Sequence, residues 1–295
     1  MMRLSELLQE MIHSFALELK AQKICLPEES LREARLLIGE ALDLTPLELI
    51  QHLNTPVSTF PQATQERLKI FQKRRLNGEP LSRIRGTRAF WKDTFFLSNA
   101  TLDPRPETEG LIELALRFFE KRPPPQKIID LGTGTGCLLL SLLKEFPKAQ
   151  GTGIDLSQEA LETAYKNAVF LKEDNRCVWK KSRWLEGAQG KFELVVSNPP
   201  YIASGDLKTL APEVRLFDPT LALDGGQDGL DAYRDLIPQV NRHLAPEGVF
   251  LLEIGRGQEK DLEKILSPFF KKVTFSKDLG KIIRYIQAEQ PTSNF

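Results

Sequence analysis

Ser197-Asn198-Pro199-Pro200-Tyr201 places a carboxamide, a stiffened backbone and an aromatic ring within five residues. It follows Phe192-Glu193-Leu194-Val195-Val196, an apolar, β-branched run that predicts a buried strand. Two successive prolines end such a strand, because neither can donate a ladder hydrogen bond. Asn198 is therefore expected at the strand's carboxyl end, offering one acceptor oxygen and one donor NH2 group. Tyr201 adds a flat face beside it. The combination suits a planar, amide-like group. Upstream, Asp130-Leu131-Gly132-Thr133-Gly134-Thr135-Gly136 joins a carboxylate to three alternating glycines. Such glycines let backbone approach a ligand that side chains would block. The helix expected to follow starts with unpaired N–H groups. Asp155 ends the next expected strand, in position to hold two ribose hydroxyls.

These residues need a frame, and the chain supplies a plausible one in two parts. A length of 295 residues favours two domains over one. Lys+Arg and Asp+Glu number 40 each, giving a formal net charge of +0, which argues against bulk electrostatic binding to nucleic acid. Cys25, Cys137 and Cys177 are scattered, so neither a disulfide framework nor a zinc site is expected, and a reducing cytoplasm fits. No secretory signal or membrane-spanning run is read.

The first part is helical. Leu4, Leu7, Leu8, Met11, Ile12 and Phe15 recur at helical spacing. Ser30-Leu31-Arg32-Glu33 and Thr45-Pro46-Leu47-Glu48 read as capping boxes, and a last helix runs from about Gln62 to Leu76 before Asn77-Gly78. Residues 1–80 thus form a helical bundle. Residues 81–106 form a linker with a strand or hairpin around Phe90-Trp91 to Leu97. Lys73-Arg74-Arg75, Arg83, Arg85 and Arg88 read as a solvated basic face rather than a partner contact. Residues 107–295 alternate strand and helix. Strands are expected at 127–131, 151–155, 177–180, 192–197 and 248–254, followed by a final pair at 271–275 and 281–287. Such alternation predicts an α/β fold with a mostly parallel sheet and an antiparallel final strand, binding ligands at the strands' carboxyl ends.

The glycine loop and Asn198 constrain each other. Dinucleotide fingerprints read GxGxxG, whereas an acidic residue followed by GxGxG resembles the S-adenosylmethionine (AdoMet) loop of Rossmann-like methyltransferases. Asp155 alone cannot separate the two. Asn-Pro-Pro-Tyr separates them, because hydride transfer has no use for it. An amide or exocyclic amino nitrogen is a poor nucleophile, its lone pair being delocalised. The Asn198 oxygen and the Pro199 carbonyl can accept both hydrogens of one NH2 group and turn the lone pair toward a methyl donor. Positioning is then the main contribution, and Tyr201 stacks on the planar group.

With these motifs in hand, the chain resembles the HemK/PrmC family of protein-(glutamine-N5) methyltransferases. The resemblance covers nearly the whole sequence. It rests on Gly78-Glu79-Pro80-Leu81, Arg88-Ala89-Phe90-Trp91, Pro104-Arg105-Pro106-Glu107-Thr108-Glu109, the glycine loop, Ser197 to Ile202, and Asp228-Gly229-Leu230. It implies methyl transfer from AdoMet, leaving S-adenosylhomocysteine, to the glutamine of the GGQ motif in class I peptide chain release factors. It also implies that Asp130, Gly132, Thr133, Gly134, Thr135, Gly136, Asp155, Trp184 and Asn198 hold AdoMet. Asn198, Pro199 and Tyr201 would carry catalysis. Asn198 to Tyr201, with Arg105, Pro106 and Glu107, would hold the glutamine. The helical bundle would bind the release factor, and a cytoplasmic monomer without metal, membrane or nucleic-acid substrate is expected. Arg183 stands where many members carry Asp, and Asp103 where an aliphatic residue is usual.

Two rivals remain. An amino-methyltransferase acting on DNA adenine or rRNA guanine shares Asn-Pro-Pro-Tyr but should carry a basic recognition region. A catalytically silent module docking on the translation apparatus would tolerate Asn198→Ala. Gly225-Gly226-Gln227 reads as a flexible turn before a helix rather than a self-methylation site.

Overall fold

The computed structural model describes residues 2–19 and 27–292, so Cys25 lies outside the described residues. The chain divides into two compact units, each described by itself: one runs to Gly86 and includes Thr209–Phe217, and the other takes the rest from Thr87.

The helical unit contains α1 (Leu4–Ser14), α2 (Pro27–Leu42), α3 (Pro46–Gln51), α4 (Gln62–Leu76) and α5 (Leu81–Arg85). The Leu4, Leu7, Leu8 and Met11 stripe of α1 packs with Leu37, Ile38 and Ala41 of α2. Thr45 caps α3 as expected: its N–H donates to Glu48 Oε2 at 2.8 Å, and the Glu48 N–H donates to Thr45 Oγ1 at 3.3 Å. The second expected capping box is corrected. Helix α2 already begins at Pro27, so Ser30 lies inside the first turns and is buried instead of capping.

The basic residues are corrected too, because carboxylates face most of them. Arg74 pairs with Glu79 at 2.5 Å and Arg85 with Glu40 at 2.9 Å. Arg75 is buried between Glu33 and Glu213, each at 2.7 Å. Glu213 belongs to α9 (Pro212–Phe217), a short helix that sequence periodicity did not suggest.

The second unit opens with a hairpin, β1 (Thr87–Phe90) and β2 (Asp93–Phe96), turned at Trp91 with a left-handed φ of 55°. Helix α6 (Glu109–Phe119) follows. Then come β3 (Lys127–Leu131), α7 (Cys137–Glu145), β4 (Gln150–Asp155), α8 (Gln158–Leu171), β5 (Cys177–Lys181) and β6 (Phe192–Ser197). The chain ends with α10 (Asp231–His243), β7 (Leu244–Glu253), α11 (Glu259–Leu266), β8 (Phe270–Lys277) and β9 (Ile283–Pro291). The seven-stranded sheet has the order β5-β4-β3-β6-β7-β9-β8, with β9 antiparallel to its neighbours.

Strand alternation fills both faces. Ile128, Leu194, Val196, Val249 and Leu251 pack with α6 and α7. Ile129, Leu131, Val195, Phe250 and Leu252 pack with α10 and α11. Strands are added outward in one direction from β3 and in the other from β6, and such a switch between parallel neighbours is the kind of place where α/β sheets open a binding crevice.

Gly110, in the first turn of α6, sits against the Tyr285 ring; a Cβ built there falls 2.4 Å from its nearest ring atom. The Tyr285 hydroxyl donates to the Glu107 carbonyl at 2.5 Å, fixing the segment that leads into α6. Helical Gly→Ala normally stabilises by about 1 kcal/mol. Here overpacking wins, and Gly110→Ala is expected to lower unfolding free energy by about 1–3 kcal/mol in urea titration.

Candidate active site

The carboxyl ends of β3, β4 and β6 meet at a cavity of about 440 Å³ within the second unit, in the size range of small-molecule sites. Its lining includes Asp130, Gly132 to Thr135, Asp155, Trp184 and Asn198, with Arg105 and Thr108. Leu131 of β3 is in register with Ser197 of β6, and the Ser197 hydroxyl donates to the Leu131 carbonyl at 2.7 Å. The glycine loop and the Asn-Pro-Pro-Tyr segment therefore leave the sheet side by side.

The loop is held by backbone and by Asp155. The N–H groups of Gly132 and Thr133 both donate to the Ile154 carbonyl at 2.9 Å. Asp155 accepts from the Gly134 N–H and the Ser157 N–H, each at 2.9 Å, while the Ser157 hydroxyl caps α8. Each carboxylate oxygen has a second lone pair to offer. Gly132, Gly134 and Gly136 all have φ between 54° and 76°, the left-handed region that glycine enters without strain. At Gly134 a Cβ would meet nothing within 4 Å, whereas at Gly132 it would come within 3.8 Å of the Trp184 ring. Helix α8 contributes Asn167, which the sequence reading missed. Its carboxamide accepts from the Phe96 N–H at 2.7 Å and donates to the carbonyls of Phe96 and Thr135, tying the hairpin to the glycine loop.

Asp130 is buried and accepts from the Thr133 hydroxyl at 2.7 Å. Burial, with the nearby Asp155 charge adding, raises its pKa to about 7. Trp184, with a φ of 51°, donates its indole N–H to Asp235 Oδ2 at 2.8 Å. Arg183 Nε reaches the same oxygen at 2.6 Å. Arg183 thus turns to a carboxylate on α10 that also holds the indole of its neighbour Trp184.

Around Asn198 the expected residues take different places. Asn198 Nδ2 donates to Thr108 Oγ1 at 3.0 Å, and the Thr108 hydroxyl donates to Glu253 Oε2 at 2.6 Å. The Tyr201 hydroxyl makes a long 3.4 Å bond to Glu253 Oε1, and its ring packs on the α10 side of the sheet. Arg105 pairs with buried Asp218 at 2.5 Å, and the Asp103 N–H donates to the same carboxylate at 3.3 Å. Pro106 and Glu107 are exposed; within that segment it is Thr108 that reaches Asn198.

The glycine turn at 225–226 is corrected from flexible to built-in. The Gly225 N–H donates to the Ile202 carbonyl at 2.8 Å, and the Gly226 carbonyl accepts from Ser204 at 2.8 Å. A Cβ at Gly225 would lie 2.9 Å from the Pro200 carbonyl oxygen, so the turn underlies Pro200 and Tyr201. Gln258 adds a second prop, donating to the carbonyls of Tyr201 and Gly229 at 3.0 Å.

Fold and site together define a Rossmann-like methyltransferase. Residues 111–217 match the "Methyltransferase small domain" family and residues 10–86 the "PrmC N-terminal domain" family. The fold is shared with the T. thermophilus 16S rRNA methyltransferase RsmC in complex with AdoMet and guanosine. That pair has a TM-score of 0.51 and 19% identity, covering 69% of this chain and 49% of the other. The hMettl16 catalytic domain shares it at a TM-score of 0.54 and 14% identity, covering 66% and 74%. The release factor glutamine methyltransferase of Bradyrhizobium diazoefficiens is 46% identical over 242 residues, 81% of this chain and 80% of that protein. The Cereibacter sphaeroides enzyme of the same name is 40% identical over 267 residues, 90% and 93% of the two chains. The chain belongs to the release factor glutamine methyltransferase family.

Two buried carboxyls make stability fall as pH rises. Asp130 and Glu253 are both raised to about 7 by burial. Between the ordinary carboxyl range and that value the native state holds protons that the unfolded chain has released, so these groups favour folding at the acidic end. Asp130→Asn and Glu253→Gln are each expected to flatten this fall in unfolding free energy, measured by urea titration from pH 5 to 8 on the scale of ordinary carboxyl values.

Proposed function

We propose that this chain transfers a methyl group from AdoMet to the side-chain amide nitrogen of the glutamine in the GGQ motif of class I release factors. The observation that carries the reading is the meeting of the glycine loop and Asn198 in one cavity, in a chain of this family. Residues at the cavity suit AdoMet. Asp130 is a buried carboxylate whose raised pKa records the burial of a charge, which a ligand ammonium would balance. Asp155 has lone pairs for ribose hydroxyls, the glycine loop leaves room for close approach, and Trp184 offers a ring face for adenine. When bound, AdoMet supplies an electrophilic sulfonium methyl.

The chain's own residues do the rest. The Asn198 oxygen and the Pro199 carbonyl accept the two N–H bonds of the glutamine amide, which draws the nitrogen out of conjugation and aims its lone pair. With AdoMet held there, the nitrogen–carbon bond would form as the sulfur–carbon bond broke, and the methylated nitrogen would shed one proton. No strong base is required. Tyr201 is read as the face against which the amide plane rests. Arg105, Pro106 and Glu107 are read as flanking contacts for the peptide, and the helical unit as the holder of the release factor. Neutral overall charge supports a protein substrate over a nucleic-acid base. Among the described residues no helix is long and apolar enough to cross a membrane, and a cytoplasmic monomer fits the reading.

Incubation with AdoMet and a purified class I release factor is expected to add one methyl at the GGQ glutamine, located by tandem mass spectrometry. Asn198→Ala should lower that rate by roughly a hundredfold or more, the scale on which loss of one preorganised hydrogen-bonding group acts. Label appearing instead in tRNA, rRNA or DNA would refute the protein substrate. AdoMet affinity should rise with pH toward and through the Asp130 value of about 7, because the ionised form receives the ammonium. Calorimetry with Asp130→Asn is expected to give weaker, pH-independent binding.

A further inference from the structure

A carboxamide has two orientations of nearly equal shape, and only one of them presents the Asn198 oxygen to a substrate N–H. The groups that choose between them lie outside Asn-Pro-Pro-Tyr. Asn198 Nδ2 donates to Thr108 Oγ1 at 3.0 Å, and Thr108 in turn donates to Glu253 Oε2 at 2.6 Å. Thr108 and Glu253 are both buried. A hydroxyl has one hydrogen to give, and an ionised carboxylate can only accept. With that hydrogen committed to Glu253, Thr108 turns a lone pair toward Asn198, and only the NH2 end can meet it. The reversed carboxamide would set oxygen against oxygen.

We propose that Thr108 and Glu253 are positioning residues that lock the Asn198 carboxamide with its NH2 end inward and its oxygen toward the substrate amide. This rests on the reading of Asn198 as the acceptor for that amide. Glu253 is not among the cavity-lining residues, and Thr108, at the cavity wall, acts through Asn198.

The lock has a direction that depends on charge. Protonated Glu253 can donate to Thr108, whose hydrogen is then free to turn toward Asn198, and the carboxamide gains by reversing. Groups from several elements bear on Glu253. The Tyr201 hydroxyl donates to Oε1 at 3.4 Å, and the Tyr233 hydroxyl on α10 donates to the Glu253 carbonyl at 3.3 Å. Arg284 on β9 and Glu107 before α6 act through their charge. Burial raises the Glu253 carboxyl to about 7; the Thr108 bond and Arg284 oppose that rise, and Glu107 adds to it. The locked state therefore lies on the alkaline side.

The test uses full-length protein carrying 15N only in asparagine, with the Asn198 NH2 signals assigned by their loss in Asn198→Ser. In wild type these signals should shift with pH around the Glu253 value of about 7, and one hydrogen should exchange slowly. In Glu253→Gln the pH shift should vanish. Thr108→Val should abolish both the shift and the slow exchange, and Thr108→Ser should restore them. In methyl-transfer assays Thr108→Val should lose roughly tenfold to a hundredfold in kcat/KM, the scale of one buried polar group left unpaired, with AdoMet affinity unchanged. Thr108→Ser should recover most of it, and the rise in kcat with pH should disappear in Glu253→Gln. Asn198 signals indifferent to Thr108→Val, a wild-type rate in that variant, or failure of Thr108→Ser to rescue would each overturn the proposal. If wild type methylates no glutamine while the NMR coupling is present, the functional reading falls and the lock stands.

Discussion

Parallel pairing of β6 with β3 is the constraint on which the rest of the site depends. Leu131 opposite Ser197 sets the register, and the Ser197 hydroxyl on the Leu131 carbonyl closes the last rung. A slip of one residue would exchange the two faces of β6, turning Leu194 and Val196 toward α10 and α11 and Val195 toward α6 and α7. It would also carry Asn198 away from the glycine loop. Strand register therefore sets where Asn198 leaves the sheet, and the Ser197 hydroxyl and the two apolar layers hold it.

Around that pairing the fold places two buried carboxylates and uses them differently. Asp130 faces the cavity, where a ligand cation would complete it. Glu253 is completed internally, by the hydroxyls of Thr108 and Tyr201, and so acts on the orientation of other groups. Arg75 in the helical unit shows the contrasting structural solution, a buried guanidinium with a carboxylate on each side. Burial of an ionisable group is costly unless something answers it. What answers it separates the ligand site, the internal lock and the scaffold.

Much of this was legible in the sequence because the signals were local. Period-two apolar runs at β3 and β6, the left-handed glycines after β3 and the double proline after Asn198 each dictate their own conformation. Thr45-Pro46-Leu47-Glu48 did the same for α3. The residues that were missed answer to partners far away in the chain. Thr108 looks like a helix-starting threonine, yet its hydroxyl goes to Glu253, 145 positions on. Asn167 and Asp235 sit inside helices where periodicity marks nothing unusual. Ser30 misled because a capping pattern was read where the helix had already begun. Arg75 of α4 and Arg85 of α5 misled because their carboxylate partners lie on other elements. Gly225-Gly226 looked flexible only because its packing under Pro200 is invisible in sequence.

The central claim is that Asn198, delivered beside the glycine loop by β6, holds a glutamine amide with its oxygen while the methyl donor lies against that loop. A crystal structure of the protein with S-adenosylhomocysteine and a peptide bearing N5-methylglutamine tests this most directly. The account predicts the methylated nitrogen within hydrogen-bonding distance of Asn198 Oδ1, its methyl directed at the sulfur, and Asn198 Nδ2 still on Thr108. A glutamine bound elsewhere, or an Asn198 presenting its NH2 group to the substrate nitrogen, would contradict it.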